Sequence, residues 1–279
     1  MCSFSSTLFL LEESNLAIIS MKFAWSVAIS GVASVNALRK LSSFIVGGDE
    51  VAPNSEPYVI SLQRSGAHFC GASLAGYLNK AITAGHCHNS YGVTAVAGAH
   101  RIELYESRSQ SRSVTQFIVH PSYNSYLLEN DIAIIKLSSP FVENEYVKPL
   151  FLPRQEFQDW LPHNSPVRVC GWGNTVPGDV PSQMAKELHC IDINVIAYSI
   201  CNDRQHYNGE LSPGMMCAGV DGLGGKDACG GDSGGPVKYS DMVVGITSWS
   251  YGHPHQGQGA YYPGVYTDVA WYRNWIDLQ

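Results

Sequence analysis

The chain carries little charge, and none of it is gathered into a basic run. Lys, Arg, Asp and Glu make up 15% of 279 residues, and the formal net charge is -7. A nucleic-acid-binding surface needs clustered Lys and Arg to displace counterions from phosphates, so that class of partner is set aside. Cys-x-x-Cys pairs and Cys/His clusters at metal-ligand spacing are also missing, which removes the common zinc modules. Asn-x-Ser/Thr acceptors, internal repeats and low-complexity tracts are absent. What is present is 45% apolar content, in a chain long enough for one large or two small cores. Eight cysteines at scattered spacings read as a disulfide framework of an oxidising compartment.

The N-terminal region carries a secretion pattern that starts at Met21 rather than Met1. Met21 and Lys22 open a short positive region, Phe23 to Ala33 is apolar, and Val35-Asn36-Ala37 resembles a small-residue cleavage site. The expected organisation is an upstream extension over 1–20, a signal peptide over 21–37, a propeptide over 38–44 and one folded domain over 45–279. A membrane anchor over Leu16 to Ala37 competes with this, but it would bury Lys22 in the bilayer. The expected product is a secreted, extracellular monomer with no stable membrane association.

From Ile45 onward, short runs rich in Val, Ile and aromatics are broken by Gly, Pro, Asn or Ser. "YVISLQ", "SVTQFIVH", "DIAIIKL", "PVRVCGWG" and "MVVGITSW" are examples. This spacing predicts an all-β sandwich or barrel. Only residues 268–279 read as helix, with Asp268 as N-cap and Val269, Tyr272, Trp275 and Ile276 on one face.

Three segments carry chemistry: "TAGHC" (83–87), "NDIAIIKL" (130–137) and "GGDSGGP" (230–236). A hydroxyl is a weak nucleophile near neutral pH, so a peptide-cleaving serine needs an imidazole to take its proton. Ser233 and His86 are the candidates. The imidazole needs a buried carboxylate to hold its tautomer, and Asp131 is the candidate. N–H donors must also meet the developing oxyanion, and Gly231 and Ser233 would supply them. A packed histidine, a turn aspartate and an ordinary Gly-rich loop are the plain readings of each segment alone.

Together these segments resemble the chymotrypsin family of serine proteases, most closely the trypsins. "IVGG", "AGHC", "HPSYNS", "GWGNT", "MMCAG", "GGKDACGGDSGGP", "SWSYG" and "PGVYT" carry the resemblance over Ile45 to Gln279. It implies two packed six-stranded antiparallel β-barrels, a short C-terminal helix, and an active site between the barrels. It further implies that cleavage before Ile45 frees an α-amino group to pair with Asp232. Trypsin precursors present Lys or Arg before that bond, whereas this chain has Phe44. Release of Ile45 is therefore expected from a chymotrypsin-like enzyme, or from cleavage after Lys40 followed by trimming.

By the same resemblance Asp227 lies at the base of the primary pocket, where a carboxylate selects Arg or Lys. Ala228 beside it, in place of a serine, suggests Arg over Lys. Ser248, Trp249, Ser250 and Gly264 would form the walls, with Leu128 and Trp249 lining neighbouring subsites. His253 and His255 lie in a long intervening loop and read as solvated rather than metal-binding.

Family register pairs Cys70 with Cys87 and Cys201 with Cys217. Cys190 resembles a cysteine whose usual partner position is Val51 here, so a bridge to Cys170 across adjacent strands is expected instead. Cys229 is left without a partner, because His253 stands where the family has its cysteine. Calcium is not expected: Ala99 and Ser109 replace carboxylates, leaving Glu103 and Glu106 as too few ligands. No cofactor is implied. The expected function is a secreted, digestive serine endopeptidase cleaving after Arg or Lys, acting on proteins or peptides and open to protein protease inhibitors. A catalytically silent homologue that binds partners is the rival, and altered, chymotrypsin-like specificity a third reading.

Overall fold

A computed structural model describes residues 48–88, 91–104, 106–154, 159–174, 184–220, 228, 231–251 and 262–279. Phe44, Ile45, Asp227, Cys229, His253 and His255 lie outside the described residues.

The described chain forms two closed antiparallel barrels. The first is built from β2 (Val59–Arg64), β3 (Ala67–Ser73), β4 (Lys80–Thr83), β5 (Val93–Ala97), β6 (Gln110–Val119) and β7 (Ala133–Leu137). It closes in the order β2-β3-β4-β7-β6-β5. The second uses β8 (Pro166–Gly171), β9 (His189–Ile196), β10 (Met215–Gly219), β11 (Pro236–Tyr239), β12 (Met242–Trp249) and β13 (Gly264–Asp268). Its order is β9-β10-β13-β12-β11-β8, and pairing of β8 with β9 closes it. A two-residue strand, β1 (Asp49–Glu50), adds to the outside of β9.

Alternation explains the half-buried strands and its absence the buried ones. In β9, Asp192 and Asn194 face out while Ile191, Ile193 and Val195 face in. β7 is nearly continuous apolar sequence, and Ile134 and Ile135 are both fully buried. The second core gathers Val169, Ile191, Ile193, Val237, Val244 and Tyr266. The first core extends beyond its barrel to Trp172, Ile246, Tyr272 and Ile276, so it also seals the space between barrels. A polar tie joins them: Glu56 is 5% exposed and meets Arg168 at 3.0 Å and Lys238 at 3.3 Å. Two helices are short, α1 (Tyr198–Cys201) and α2 (Arg273–Asp277).

The C-terminal helix corrects the sequence expectation in extent. Asp268 ends β13 instead of capping a helix, and its carboxylate accepts the Ala270 N–H at 3.0 Å. The Val269 N–H still bonds sheet-fashion to the Val244 carbonyl, so the chain turns before it can coil. The expected apolar face survives as packing: Val269, Tyr272 and Ile276 are buried.

Among the described residues there are three disulfides: Cys70 with Cys87, Cys170 with Cys190, and Cys201 with Cys217. Cys170 and Cys190 are direct partners in the β8–β9 register, with Cα atoms 4.2 Å apart.

Candidate active site

His86 sits in a single 3₁₀ turn, Gly85–Cys87, that leaves the end of β4. The turn is stapled by the Cys70–Cys87 bridge to β3. Asp131 precedes β7, which pairs with β4, so the same ladder brings the two residues together. The Asp131 side chain is 1% exposed and His86 25% exposed.

The carboxylate is fully engaged. Oδ1 accepts the His86 backbone N–H at 2.8 Å, and Oδ2 accepts from His86 Nδ1 at 2.8 Å. Ser248 Oγ donates to Oδ2 at 2.5 Å, and Thr267 Oγ1 donates to the Asp131 carbonyl at 2.8 Å. Ser248 and Thr267 belong to the second barrel, so the carboxylate of the first is aligned by both. Ser248 reaches it because the β12–β13 register slips between Thr247 and Trp249, leaving Ser248 as the bulged residue. With Asp131 an acceptor on both contacts, the imidazole proton is held on Nδ1 and Nε2 is left to accept.

Ser233 is half-buried in a turn fastened to both barrels. Its carbonyl accepts the Gly71 N–H at 2.8 Å, and the Cys87 sulfur next to His86 lies 3.5 Å from the same oxygen. Gly234 N–H donates to the Thr247 carbonyl at 2.8 Å, and Gly235 N–H to the Asp232 carbonyl at 2.9 Å. Gly231 has φ +101°, a conformation that side chains rarely tolerate, and a Cβ there would press on the Gly173 backbone at 3.0 Å. Asp232 is fully buried, and its Oδ1 accepts the Gly173 N–H at 2.8 Å. A Cβ on Gly173 would overlap that carboxylate. The strand end "GWGN" is therefore what admits a buried carboxylate behind the serine turn.

Sequence reasoning missed His68. It is buried, with Nε2 2.9 Å from the Gly231 carbonyl and Nδ1 2.8 Å from Ser61 Oγ. A carbonyl only accepts, so Nε2 carries the proton and Nδ1 accepts from Ser61. Gln63 Nε2 donates to Ser61 Oγ at 3.2 Å, completing a chain that ends on the Gly231 peptide. The only hint in the sequence is a histidine two residues before Cys70, which by itself reads as strand.

Burial pushes the His68 pKa down to about 4, despite the opposing hydrogen bond to Gly231. Burial also pushes Asp268 up to about 6, partly offset by the Ala270 N–H. Between pH 6.5 and 4 the unfolded chain protonates His68 and the folded chain does not, so this group loses stability as pH falls, roughly 1 kcal/mol per pH unit. Asp268 acts oppositely: between its unfolded value and about 6 the folded chain keeps a proton, so its contribution is lost as pH rises. Near pH 4 to 6 the two slopes offset one another. Urea unfolding at successive pH values is expected to show a steeper acid loss in Asp268→Asn and a shallower one in His68→Gln than in the parent. Parallel profiles for all three proteins would refute the assignment.

Of the residues expected as pocket walls, Ser248 touches Asp131 through its hydroxyl. Trp249 ends β12 and meets Tyr207 and Tyr251 edge-on at 5.1 and 5.2 Å, while Gly264 opens β13 opposite Ala218. Ser250 follows Trp249 and is half-buried; Leu128 holds φ +52° in the loop before Asp131. Ala228 packs on the second core.

Two side-chain groups among the described residues are close enough to share a metal ion, Cys70–His86–Cys87 and Glu56–Cys170–Cys190. Both rest on sulfurs already committed to disulfides, which offer no thiolate. In the segment considered for calcium, Glu106 accepts the His100 and Arg101 N–H groups at 2.7 and 3.1 Å, and Glu103 pairs with Lys186. No helix among the described residues is long and apolar enough to cross a membrane.

The family model for Trypsin matches residues 45–276. The chain is 40% identical to Trypsin-2 of Salmo salar over 232 residues, covering 83% of this chain and 93% of the salmon protein. It is 39% identical to Trypsin of Sus scrofa, over 83% of this chain and 94% of the pig protein. Cationic trypsin-3 of Rattus norvegicus is 38% identical over 256 residues, 92% of this chain and 97% of the rat protein. Two six-stranded barrels, a carboxylate-held imidazole, and this extent of similarity agree: the chain belongs to the trypsin family of serine endopeptidases.

Proposed function

We propose that the protein is a secreted, digestive enzyme that hydrolyses peptide bonds after Arg or Lys through an acyl-enzyme on Ser233. The observation that carries the reading is the buried Asp131 carboxylate, which fixes the His86 proton on Nδ1 while the Ser233 turn is anchored against the neighbouring Cys87.

In this reading His86 Nε2 takes the Ser233 hydroxyl proton as Oγ attacks the scissile carbonyl. The resulting oxyanion is met by the Gly231 and Ser233 N–H groups. His86, now cationic beside Asp131, passes its proton to the leaving amine, and the peptide's C-terminal part departs. Water then enters, gives its proton to Nε2, and attacks the acyl ester; the proton returns to Oγ as the acid product leaves. Asp131 stays ionised throughout.

Cleavage before Ile45 and pairing of the new α-amino group with Asp232 belong to the same proposal. The buried Asp232 among Gly171 and Gly173 supports it, since a buried carboxylate is tolerable only when matched by donors or a cation. Residues 21–37 as signal peptide and 38–44 as propeptide complete it, and three disulfides favour an oxidising destination. Asp227 is assigned the base of the primary pocket, with Ser248, Trp249, Ser250 and Gly264 as walls.

The test is cleavage of a peptide library by material whose N-terminus is Ile45, with Asp227→Ser alongside. Cuts after Arg and Lys are expected, with Arg ahead, and kcat/KM on these substrates falling at least about a hundredfold in Asp227→Ser. Cuts after aromatic residues by the parent would overturn the specificity while leaving the peptidase assignment standing. An active form with another N-terminus would overturn the activation step.

A further inference from the structure

Lys80 and Lys136 stand directly opposite one another across the β4–β7 ladder. Like charges placed opposite on neighbouring strands destabilise the pair. Neither ammonium has a carboxylate within ion-pair distance among the described residues, whereas Lys186 and Lys238 pair with Glu103 and Glu56. Asp277 attracts Lys80 from beyond ion-pair distance, so among the described residues the two facing ammonium groups have one distant carboxylate between them.

The two lysines line a cleft of about 380 Å³ together with Tyr77, Asn79, Thr115 and Gln279. That volume lies in the range of small-molecule sites. Lys80 Nζ rests 3.8 Å from the centre of the Tyr77 ring, which leaves its N–H donors and an aromatic wall side by side. Thr115 reaches the cleft through a bulge: the β6–β7 register moves from Val114 opposite Leu137 to Gln116 opposite Lys136, so Thr115 is extra. Its hydroxyl donates to the Lys136 carbonyl at 3.1 Å. Burial and, more weakly, Lys136 lower the Lys80 pKa, while Asp277 opposes them. An anion between the lysines would oppose the repulsion from Lys136 and add to the larger attraction that Asp277 already exerts on Lys80.

We propose that this cleft binds a tetrahedral oxyanion, a phosphate or sulfate group, carried on a compact organic body that packs against Tyr77. A tetrahedral group offers three or more acceptor oxygens, so each ammonium group and the Asn79 amide can take an oxygen of its own, where a carboxylate would have to share its two. Lys80 starts the strand whose other end leads to His86, so the site lies on the same barrel as the candidate active centre without sharing a residue with it.

The test titrates the full protein with inorganic phosphate and inorganic sulfate at constant ionic strength, by calorimetry and by Tm. Saturable binding with a rise in Tm is expected. Lys80→Gln and Lys136→Gln should each weaken it about tenfold or more, and the double variant should abolish it. Lys136→Arg should retain binding, and Lys148→Gln, at a lysine outside the cleft, should match the parent. Without anion, Lys136→Gln should melt no lower than the parent because the repulsion is gone. Peptidase activity should be unchanged in all of them. No saturable binding, equal binding by the double variant, or equal weakening by Lys148→Gln would overturn the site. Glucose 6-phosphate and a 6-sulfated glucosamine then separate the two chemistries by which binds tighter; neither exceeding its inorganic ion would overturn the organic body.

Discussion

Ser233→Ala is expected to lower kcat on a peptide substrate on the order of 10⁵ to 10⁶-fold, the scale known for serine proteases of this design. The substitution removes one oxygen and leaves the turn intact, because the turn's fastenings are backbone groups. The Ser233 carbonyl still accepts from Gly71, and Gly234 and Gly235 keep their bonds to Thr247 and Asp232. Stability should therefore change little, and inhibitor affinity should persist, while no acyl-enzyme can form. A residual rate of roughly 10³ to 10⁴ over water would remain from the oxyanion donors and substrate positioning. Burst kinetics and active-site titration measure the acylation directly. A variant that still acylates would remove Ser233 as the nucleophile, and a parent without Ser233-dependent cleavage would leave the silent homologue standing.

Asp131→Asn is expected to cost about 10⁴-fold in kcat near neutral pH, again the scale established for this arrangement. The two carboxylate oxygens do different work, and an amide can replace only one. Oδ1 can continue as the oxygen that accepts the His86 backbone N–H. The other position then becomes an NH₂ group that donates toward His86 Nδ1, where the carboxylate had accepted. The imidazole must move its proton to Nε2, and the nitrogen meant to receive the serine proton is no longer free. Ser248 Oγ also loses its acceptor and must rotate. KM should shift far less than kcat, and raising the pH should not restore the parent's rate at neutral pH. A loss confined to KM, or below tenfold, would mean that Asp131 does not hold the tautomer.

Much of this protein was legible before its structure. Short β-branched runs between turn residues predict barrels because a strand's burial pattern is local: β9 alternates around its exposed Asp192 and Asn194, and β7 hides nearly all its side chains. The family motifs were equally readable, since "GDSGG" and "TAGHC" are contiguous. The end of β13 was read less well. Asp268 beside a helical face looks like an N-cap, yet a long-range bond from Val269 to Val244 keeps the chain in the sheet for one more residue. Local propensity could not weigh that bond.

His68, Ser61 and Thr267 were silent for a different reason. Each is an ordinary strand residue whose partner lies far along the chain: His68 is 163 positions from Gly231 and Thr267 is 136 from Asp131. The facing of Lys80 and Lys136 is likewise a matter of β4–β7 register. The amino-acid sequence by itself determined the fold class, the enzyme family and which serine, histidine and aspartate to consider, because those rest on contiguous motifs and strand periodicity. Only the tertiary structure decided what surrounds them: how Ser248 and Thr267 hold Asp131 from the second barrel, how His68 steadies the Gly231 peptide, and which two lysines face one another across a ladder. Barrel closure sets those distances, and no stretch of sequence encodes closure on its own.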